Sequence, residues 1–277
     1  MARVERRMYR RRRRTRRRWL YLLLIVVCAG VLLVWRKHPA ALLAERVTEP
    51  TPTPVASAYD QTIQTREITL AEETWYAIQT GVFSTREAAE EKAAAYSDRG
   101  APGTVVQDGA KWRVFIACYG SAEEAAAVRQ RLGEMQRVET YQYAWKCPEL
   151  RLRLTGMAGQ LDVVEAGLSL MRQTAETLRD TAILLDAGEK TTAEAMQAVA
   201  ALDGQITLWA RTARERFGHQ QPEIVQSLLS LTEDWNGRRK ALEAAAGSAT
   251  DLSAALKGQG MQSYDAVIRM RAEIGMG

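Results

Sequence analysis

Four side chains are the best candidates for recognising a ligand: Gln79, Arg113, Phe115 and Gln142. Gln79 lies in the run WYAIQTGVF, Arg113 and Phe115 lie in KWRVFIA, and Gln142 begins QYAWK. Alternate residues of a strand point to one face of its sheet, and this pattern places the four side chains together, away from the apolar positions. An amide, a guanidinium and an aromatic ring suit a flat, hydroxyl-rich or base-like ligand. An ordinary solvated sheet face remains the alternative.

The residues needed for catalysis are not arranged in any recognisable motif. The two histidines, His38 and His219, cannot supply a typical zinc triad. The sequence contains no phosphate-binding loop and no nucleophile elbow. Acidic residues are scattered along predicted exposed helix faces, so their spacing does not test for a glycan-cleaving pair. We therefore predict a protein that is not an enzyme, with no catalytic residue, no metal site and no cofactor.

The candidate binding residues lie in an internal repeat. Residues 78–90, IQTGVFSTREAAE, return 36 positions later as VFIACYGSAEEAA, residues 114–126. Each copy predicts a strand, a capped turn and an alanine-rich helix, and capping boxes start at Ser84 and Ser121. Asp108-Gly109 indicates a hairpin between the two copies. The order βαββαβ predicts a ferredoxin-like α+β domain with both helices on one face of an antiparallel sheet and an open face opposite.

Residues 74–147 resemble a SPOR domain, the sporulation-related repeat. That family typically reads aromatic-V-Q-V-G-S-F, then a helix with an early alanine, then Y-R-V-x-V-G-P-F and a second such helix. The matching positions are Ile78, Gln79, Gly81, Phe83, Ala89, Trp112, Arg113, Val114, Ile116, Tyr119, Ser121 and Ala125. Two departures are Val82, where a small residue is usual, and Ala117-Cys118, which replaces Gly-Pro.

The resemblance implies a function. SPOR domains bind peptidoglycan, favouring glycan strands stripped of stem peptides at division septa, through the open sheet face. The resemblance implies that Gln79 and Arg113 bind the glycan, because both match positions of the family motif. Phe115 and Gln142 are included only because they are predicted to point to the same face of the sheet. Val82 removes a hydroxyl that could contact the glycan.

Nucleic acid is excluded as a partner by charge and by residue type. Residues 1–18 hold eleven arginines and a net charge of +10, which leaves −5 for the rest of a chain whose total is +5. An RNA-recognition sheet has the same βαββαβ order, but it needs aromatic residues on two central strands and a basic surround. Only Phe115 meets that requirement here.

Residues 19–35 predict a single transmembrane helix. The run WLYLLLIVVCAGVLLVW carries no charge and spans ~26 Å as a helix, at the short end for a bilayer. The arginine-rich tail, residues 1–18, predicts a cytoplasmic N-terminus and extracytoplasmic C-terminal domains in a bacterial membrane protein. A cleaved signal peptide is the alternative, and the length of the apolar run disfavours it. Residues 36–73, which contain TEPTPTP, predict an extended linker.

Cys118 and Cys147 would then face an oxidising exterior, where disulfides form. The expected strand order separates their strands by two spacings, ~9.6 Å, beyond the ~7 Å limit between Cα atoms. Whether they pair is left open.

Residues 150–277 predict an all-α region, an antiparallel three-helix bundle or coiled coil. Apolar residues recur in alternating steps of four and three, as in left-handed helix packing. Gly188 and Gly218 end the first two helices, Pro222 starts the third, and Gly258-Gln259-Gly260 breaks its phase. The apolar seams form either a self-contained core or a docking or oligomerisation surface for an unknown protein partner.

The full prediction is a single-pass, membrane-anchored protein that binds peptidoglycan glycan strands in cell division or sporulation, while the bundle recruits a partner. The rival hypothesis is a membrane-anchored adaptor that acts through the bundle, with the α/β domain as a spacer. The sequence does not distinguish division from sporulation.

Overall fold

The structure, a computed structural model, describes residues 62–275. The arginine-rich tail, the predicted transmembrane helix and most of the predicted linker lie outside these residues. The strands in the described part are β1 (Ile63–Leu70), β2 (Glu73–Phe83), β3 (Thr104–Asp108), β4 (Lys111–Tyr119), β5 (Tyr141–Cys147) and β6 (Leu150–Met157). The helices are α1 (Arg86–Ser97), α2 (Ala122–Gln136), α3 (Ala158–Asp186), α4 (Thr192–Phe217), α5 (Glu223–Glu233), α6 (Trp235–Ala245) and α7 (Ala249–Gly275).

The repeat folds into the predicted α/β unit. β2 to β5 form an antiparallel four-stranded sheet in the order β3-β4-β2-β5, and α1 and α2 pack on one face. Ser121 accepts a hydrogen bond from the Glu124 amide at the start of α2, as predicted. At the start of α1 the cap is Thr85 rather than the predicted Ser84. Gly109, with a φ of +58°, makes the predicted hairpin turn.

A two-stranded ribbon was not predicted. β1 lies within the expected linker and pairs antiparallel with β6, from Leu70 opposite Leu150 to Ile63 opposite Met157. The apolar side of this ribbon, which includes Ile68, joins the core formed with the C-terminal helices. The predicted linker therefore ends before Ile63, and the residues after β5 begin with a strand rather than with a helix.

The C-terminal half contains five helices in the described part of the chain, not three. α3 and α4 match the first two predicted helices, and Thr191 with Glu194 forms a capping box at the start of α4. The predicted third helix is divided near Asp234 and again after Ala246. None of the helices within residues 62–275 combines the length and the apolar character that crossing a membrane requires.

The predicted break at Gly258-Gln259-Gly260 is wrong, because α7 runs through it. A Cβ atom at Gly260 would lie 3.2 Å from the backbone nitrogen of Arg179 and 3.4 Å from the carbonyl oxygen of Ala175, both on α3. Glycine is therefore used here to let two long helices approach closely, and not to end one of them.

The prediction of an open sheet face is also wrong over half of that face. α3 and α7 pack against the side of the sheet that α1 and α2 leave free. Their apolar residues share one continuous core with Trp75, Phe115 and Trp145. The sheet and the C-terminal helices therefore form a single packed body within the described residues.

Candidate functional site

Tyr264 of α7 lies at the centre of the covered half of the sheet face. Its ring stacks on Trp75, with the centroids 4.0 Å apart and an angle of 3° between the planes. It also meets Trp145 edge to face at 5.2 Å. The Tyr264 hydroxyl donates to the backbone oxygens of Trp145, at 3.2 Å, and Glu73, at 3.3 Å. These contacts are those of a protein core, so this half is closed to a ligand.

Arg271 fixes α7 to the ends of the neighbouring strands. The side chain is 2% exposed, and its Nη1 donates to the carbonyl oxygens of Ala71 and Pro148 at 3.0 and 3.1 Å. Its Nη2 lies 3.3 Å from a carboxylate oxygen of Glu73. A buried guanidinium with these partners holds the helix in one position, because moving it away would leave the charge unpaired.

The other half of the same face carries a cluster of four polar side chains, which we call the polar corner: Gln79, Asp108, Arg113 and Tyr143. The Arg113 Nε donates to Asp108 at 2.6 Å, and its Nη1 donates to the side-chain oxygen of Gln79 at 2.7 Å. The guanidinium lies over the Tyr143 ring, 4.3 Å from its centroid. The Tyr143 hydroxyl donates to the same Asp108 oxygen at 3.3 Å. The corner is thus a connected network that holds each side chain in a defined orientation.

Strand pairing brings these residues together. Residues paired across an antiparallel ladder share a face. Gln79 pairs with Phe115 on one side and with Tyr141 on the other, after a register shift in β2. Arg113 pairs with Val82 and with Val106. Side chains from all four strands therefore converge at this end of the sheet.

The polar corner has unused hydrogen-bonding capacity. Arg113 has five N–H donors, and its bonds to Asp108, Gln79 and the Tyr143 hydroxyl leave others available to a ligand. The Asp108 side chain is 41% exposed and can accept further bonds. Burial and the nearby Asp108 carboxylate raise the pKa of Tyr143, so its hydroxyl stays protonated as a donor.

Apolar and aromatic groups border the corner. Tyr141 is 53% exposed and Val82 is 40% exposed, and both lie on the same face as Gln79 and Arg113. An exposed aromatic ring beside fixed donors and acceptors is an arrangement suited to a ligand with one flat apolar side and several hydroxyl groups.

The structure places the four predicted site residues in three different locations. Gln79 and Arg113 lie together in the polar corner. Phe115 lies on the same face but is 0% exposed, beneath the C-terminal helices. Gln142 pairs with Ile78 and faces the α1 and α2 side, so the prediction that it shares a face with Gln79 is wrong. The glycan contacts of Phe115 and Gln142 remain predictions that this geometry does not favour.

Sequence reasoning missed Asp108, Tyr141 and Tyr143. From the sequence, Asp108 is predicted only as part of a hairpin turn. The alternation of Tyr141, Tyr143 and Trp145 was a readable signal, since three aromatic residues at a period of two mark one face of a strand. Taking that set as the face opposite α1 and α2 would have placed two tyrosines beside Arg113.

The family match falls on the same unit. Residues 72–141 match the model of the SPOR domain family, from the start of β2 to the first residue of β5. The chain contains a SPOR domain. The C-terminal helices lie outside the matched residues. No curated protein and no solved structure matches the chain. The SPOR domain supports a role in binding peptidoglycan during cell division, and domains of this family bind rather than catalyse.

The two cysteines of the SPOR region and β5 are unpaired and buried. Cys118 lies opposite Ala77 and Cys147 opposite Glu73, on strands that flank β2 from either side. Burial raises the pKa of Cys118 to about 12 and that of Cys147 to about 11. Both are therefore neutral thiols that pack as small apolar side chains.

Proposed function

We propose that this protein binds the glycan strands of peptidoglycan outside the cytoplasm, through the polar corner of its SPOR domain. The observation that carries the proposal is the network around Arg113, which fixes donors and an acceptor on the uncovered half of the sheet face. The family match supports it, because Gln79 and Arg113 occupy motif positions in the SPOR repeat.

Each part of the corner has a role in this proposal. The free N–H groups of Arg113 donate to sugar hydroxyl and N-acetyl oxygens, and Asp108 accepts from sugar hydroxyl groups. The exposed ring of Tyr141 packs against the apolar side of a sugar ring. Because Asp108 and Gln79 already hold the guanidinium, little side-chain entropy is lost when the ligand binds.

The bound glycan lies across the end of the sheet rather than along its whole width. α7 covers the face from Trp75 to Phe115. A glycan strand bound at the polar corner would therefore meet the C-terminal helices on one side. A stem peptide on a contacted sugar would be pushed against that wall. This crowding supports a preference for glycan without stem peptides, as at division septa.

The proposal also includes a membrane anchor and the cellular process in which the protein acts. Residues 19–35 anchor the protein in the membrane as a single helix, residues 1–18 lie in the cytoplasm, and the SPOR domain reaches the wall. Denuded glycan at the septum makes cell division the favoured process, with sporulation as a specialised division.

A pull-down with purified peptidoglycan sacculi tests the glycan role. The fragment 62–275 is the appropriate one, since residues 74–147 alone would expose the core shared with α3 and α7. We expect the fragment to sediment with sacculi, and Arg113→Ala and Asp108→Ala each to weaken binding about 10-fold, the loss of one charge-assisted hydrogen bond. Arg129→Ala, an exposed arginine on α2, is the matched control and should bind normally. Wild-type protein that stays in the supernatant contradicts the proposal.

The adaptor hypothesis keeps one supporting observation, the burial of half the sheet face by α3 and α7. In that alternative the SPOR domain is a platform for the helices, which bind a protein partner. Expressing Arg113→Ala in place of the wild-type chain separates the two functions. Retained septal localisation and normal division would favour the adaptor, whereas loss of localisation would favour glycan binding.

A further inference from the structure

A second concave site lies on the other side of the sheet. A cleft of about 740 Å³ opens between α1 and α2, where the ends of α3 and α7 close it. A preformed cleft of this volume is within the range of small-molecule sites, roughly 300–1,000 Å³. It does not overlap the polar corner, which lies on the opposite face.

Polar and apolar groups contribute about equally to the surface of the cleft, and the apolar part is continuous with the domain core. Ile116 of β4 lies in the lining, with Val128 and Leu132 of α2 and Leu185 of α3. Val128 and Leu132 are only partly buried, so apolar surface is left in contact with solvent. A ligand with an apolar body would cover this surface and gain hydrophobic free energy.

Two tyrosines supply donors inside the cleft. Tyr96 and Tyr119 both line it, and both are more than nine-tenths buried. Neither hydroxyl has a hydrogen-bond partner within residues 62–275. Burial, and next the Asp186 carboxylate, raise the pKa of Tyr119, so its hydroxyl is a donor at physiological pH. With no partner in the described part of the chain, the two hydroxyls are available to donate to a ligand that enters the cleft.

The charge at the rim of the cleft is positive. Lys257 pairs with Asp186, which also accepts a hydrogen bond from Ser253, so these two charges cancel. Arg99 also lines the cleft, is exposed and has no ion-pair partner in the described part of the chain. One uncompensated guanidinium is therefore left beside the apolar residues and the tyrosine hydroxyl donors of the cleft.

We propose that this cleft binds a small amphipathic acid, with a medium-length apolar chain lying against Ile116 and Leu132 and a carboxylate held by the tyrosine hydroxyls and Arg99. The chemistry of the ligand follows from the two parts of the lining: the apolar residues suit an apolar body, and Arg99 with the tyrosine hydroxyls suits an anionic head. The proposal is independent of glycan binding.

Calorimetric titration of the fragment 62–275 with decanoate, below its micellar concentration, tests the proposal. We expect one molecule to bind per chain, and decyltrimethylammonium to bind at least about 10-fold more weakly because Arg99 repels it. Arg99→Gln should weaken decanoate binding about 10-fold and leave decanol binding unchanged.

Filling the cleft provides the second arm of the test. Leu132→Trp, or Val128→Trp if the first variant does not fold by circular dichroism, should abolish decanoate binding. Met135→Trp lies on the same helix, at a position 80% exposed and outside the cleft, and should bind normally. The proposal is overturned if decanoate does not bind, if the cation binds equally well, or if the filled variants keep their affinity. Arg113→Ala should leave decanoate binding unchanged, which keeps this test separate from that of the glycan role.

Discussion

One half of a single sheet face is buried by the C-terminal helices in this protein, and the other half is left at the surface. At one end, Trp75 and Phe115 are buried under α7 and belong to a continuous core. At the other end, Arg113 and Asp108 form a network that keeps free donors and acceptors at the surface. The same four strands supply both halves, so strand pairing alone does not decide which part of a SPOR sheet is available to a ligand.

The comparison shows how a SPOR domain can be packed rigidly against C-terminal helices while part of its sheet face stays at the surface. The covered half contributes aromatic surface to folding, whereas the uncovered half carries little of the core. Substitutions in the two halves should therefore separate stability from binding, and the predictions below test this separation from the largest expected effect to the smallest.

Tyr264→Ala should have the largest effect. The substitution removes a ring stacked on Trp75 and leaves a cavity in the core, so we expect the free energy of unfolding to fall by about 3–5 kcal/mol. Chemical denaturation measures this loss. Tyr141→Ala, at an exposed position on the same face, is the control and should change stability little while weakening sacculus binding. Equal losses of stability in both variants would break the distinction between the halves.

Gly260→Leu tests the close approach of α7 to α3. The new side chain would collide with the α3 backbone near Arg179 and should destabilise the fold by about 1–3 kcal/mol. Gly204→Ala on α4, where nothing lies within 4 Å of the added methyl group, should instead stabilise it by about 0.5–1 kcal/mol. A Gly260→Leu protein as stable as the wild type would mean that α7 is not packed closely on α3.

Tyr264→Phe isolates the hydroxyl group and gives a pH signature. Losing the bonds to the carbonyl oxygens of Trp145 and Glu73 should cost about 1–2 kcal/mol at neutral pH. Burial raises the pKa of Tyr264 above its ordinary value near 10. The contribution is therefore complete below pH 10 and decreases above it, where the tyrosine ionises in the unfolded chain but not in the folded one. Unfolding curves from pH 7 to 11 should show the two proteins converging, and a constant difference would contradict this account.

Val82→Ser should have the smallest effect, and only on binding. The residue pairs with Arg113 and is 40% exposed, so a hydroxyl group there adds one hydrogen bond to a bound sugar. We expect sacculus binding to strengthen about 2- to 5-fold, with the free energy of unfolding changed by less than about 0.5 kcal/mol. Unchanged or weaker binding would place the glycan away from this edge of the corner.

Local patterns predicted much of the fold. The repeat and its turn signals predicted the order βαββαβ. Gly188 and Gly218 predicted the ends of α3 and α4. Alternation also predicted that Gln79 and Arg113 share a face, because the position of a residue within its own strand determines the side to which it points. These features depend on residues close together in the chain, where period and capping are most informative.

The missed features depend on contacts between distant segments. β1 and β6 pair across about 90 positions in the sequence. Because β1 is rich in polar residues, its sequence alone is hard to tell from that of a loop. The error at Gln142 is a shift of one residue, which moves every side chain of a strand to the other face. The covering of Trp75 by Tyr264 was invisible for the same reason, since nothing local to α7 indicates which surface it meets.

The β1–β6 ribbon has a mechanical consequence. Two residues connect β1 to β2, which is one of the two inner strands of the SPOR sheet. β2 is hydrogen-bonded to β4 on one side and to β5 on the other. A pulling force applied before Ile63 therefore loads the β1–β6 ladder first. The part of the force that passes beyond Leu70 enters β2, where two ladders resist it together in shear. Traction on the N-terminal side of the chain would thus be shared between the ribbon and the inner strands of the sheet.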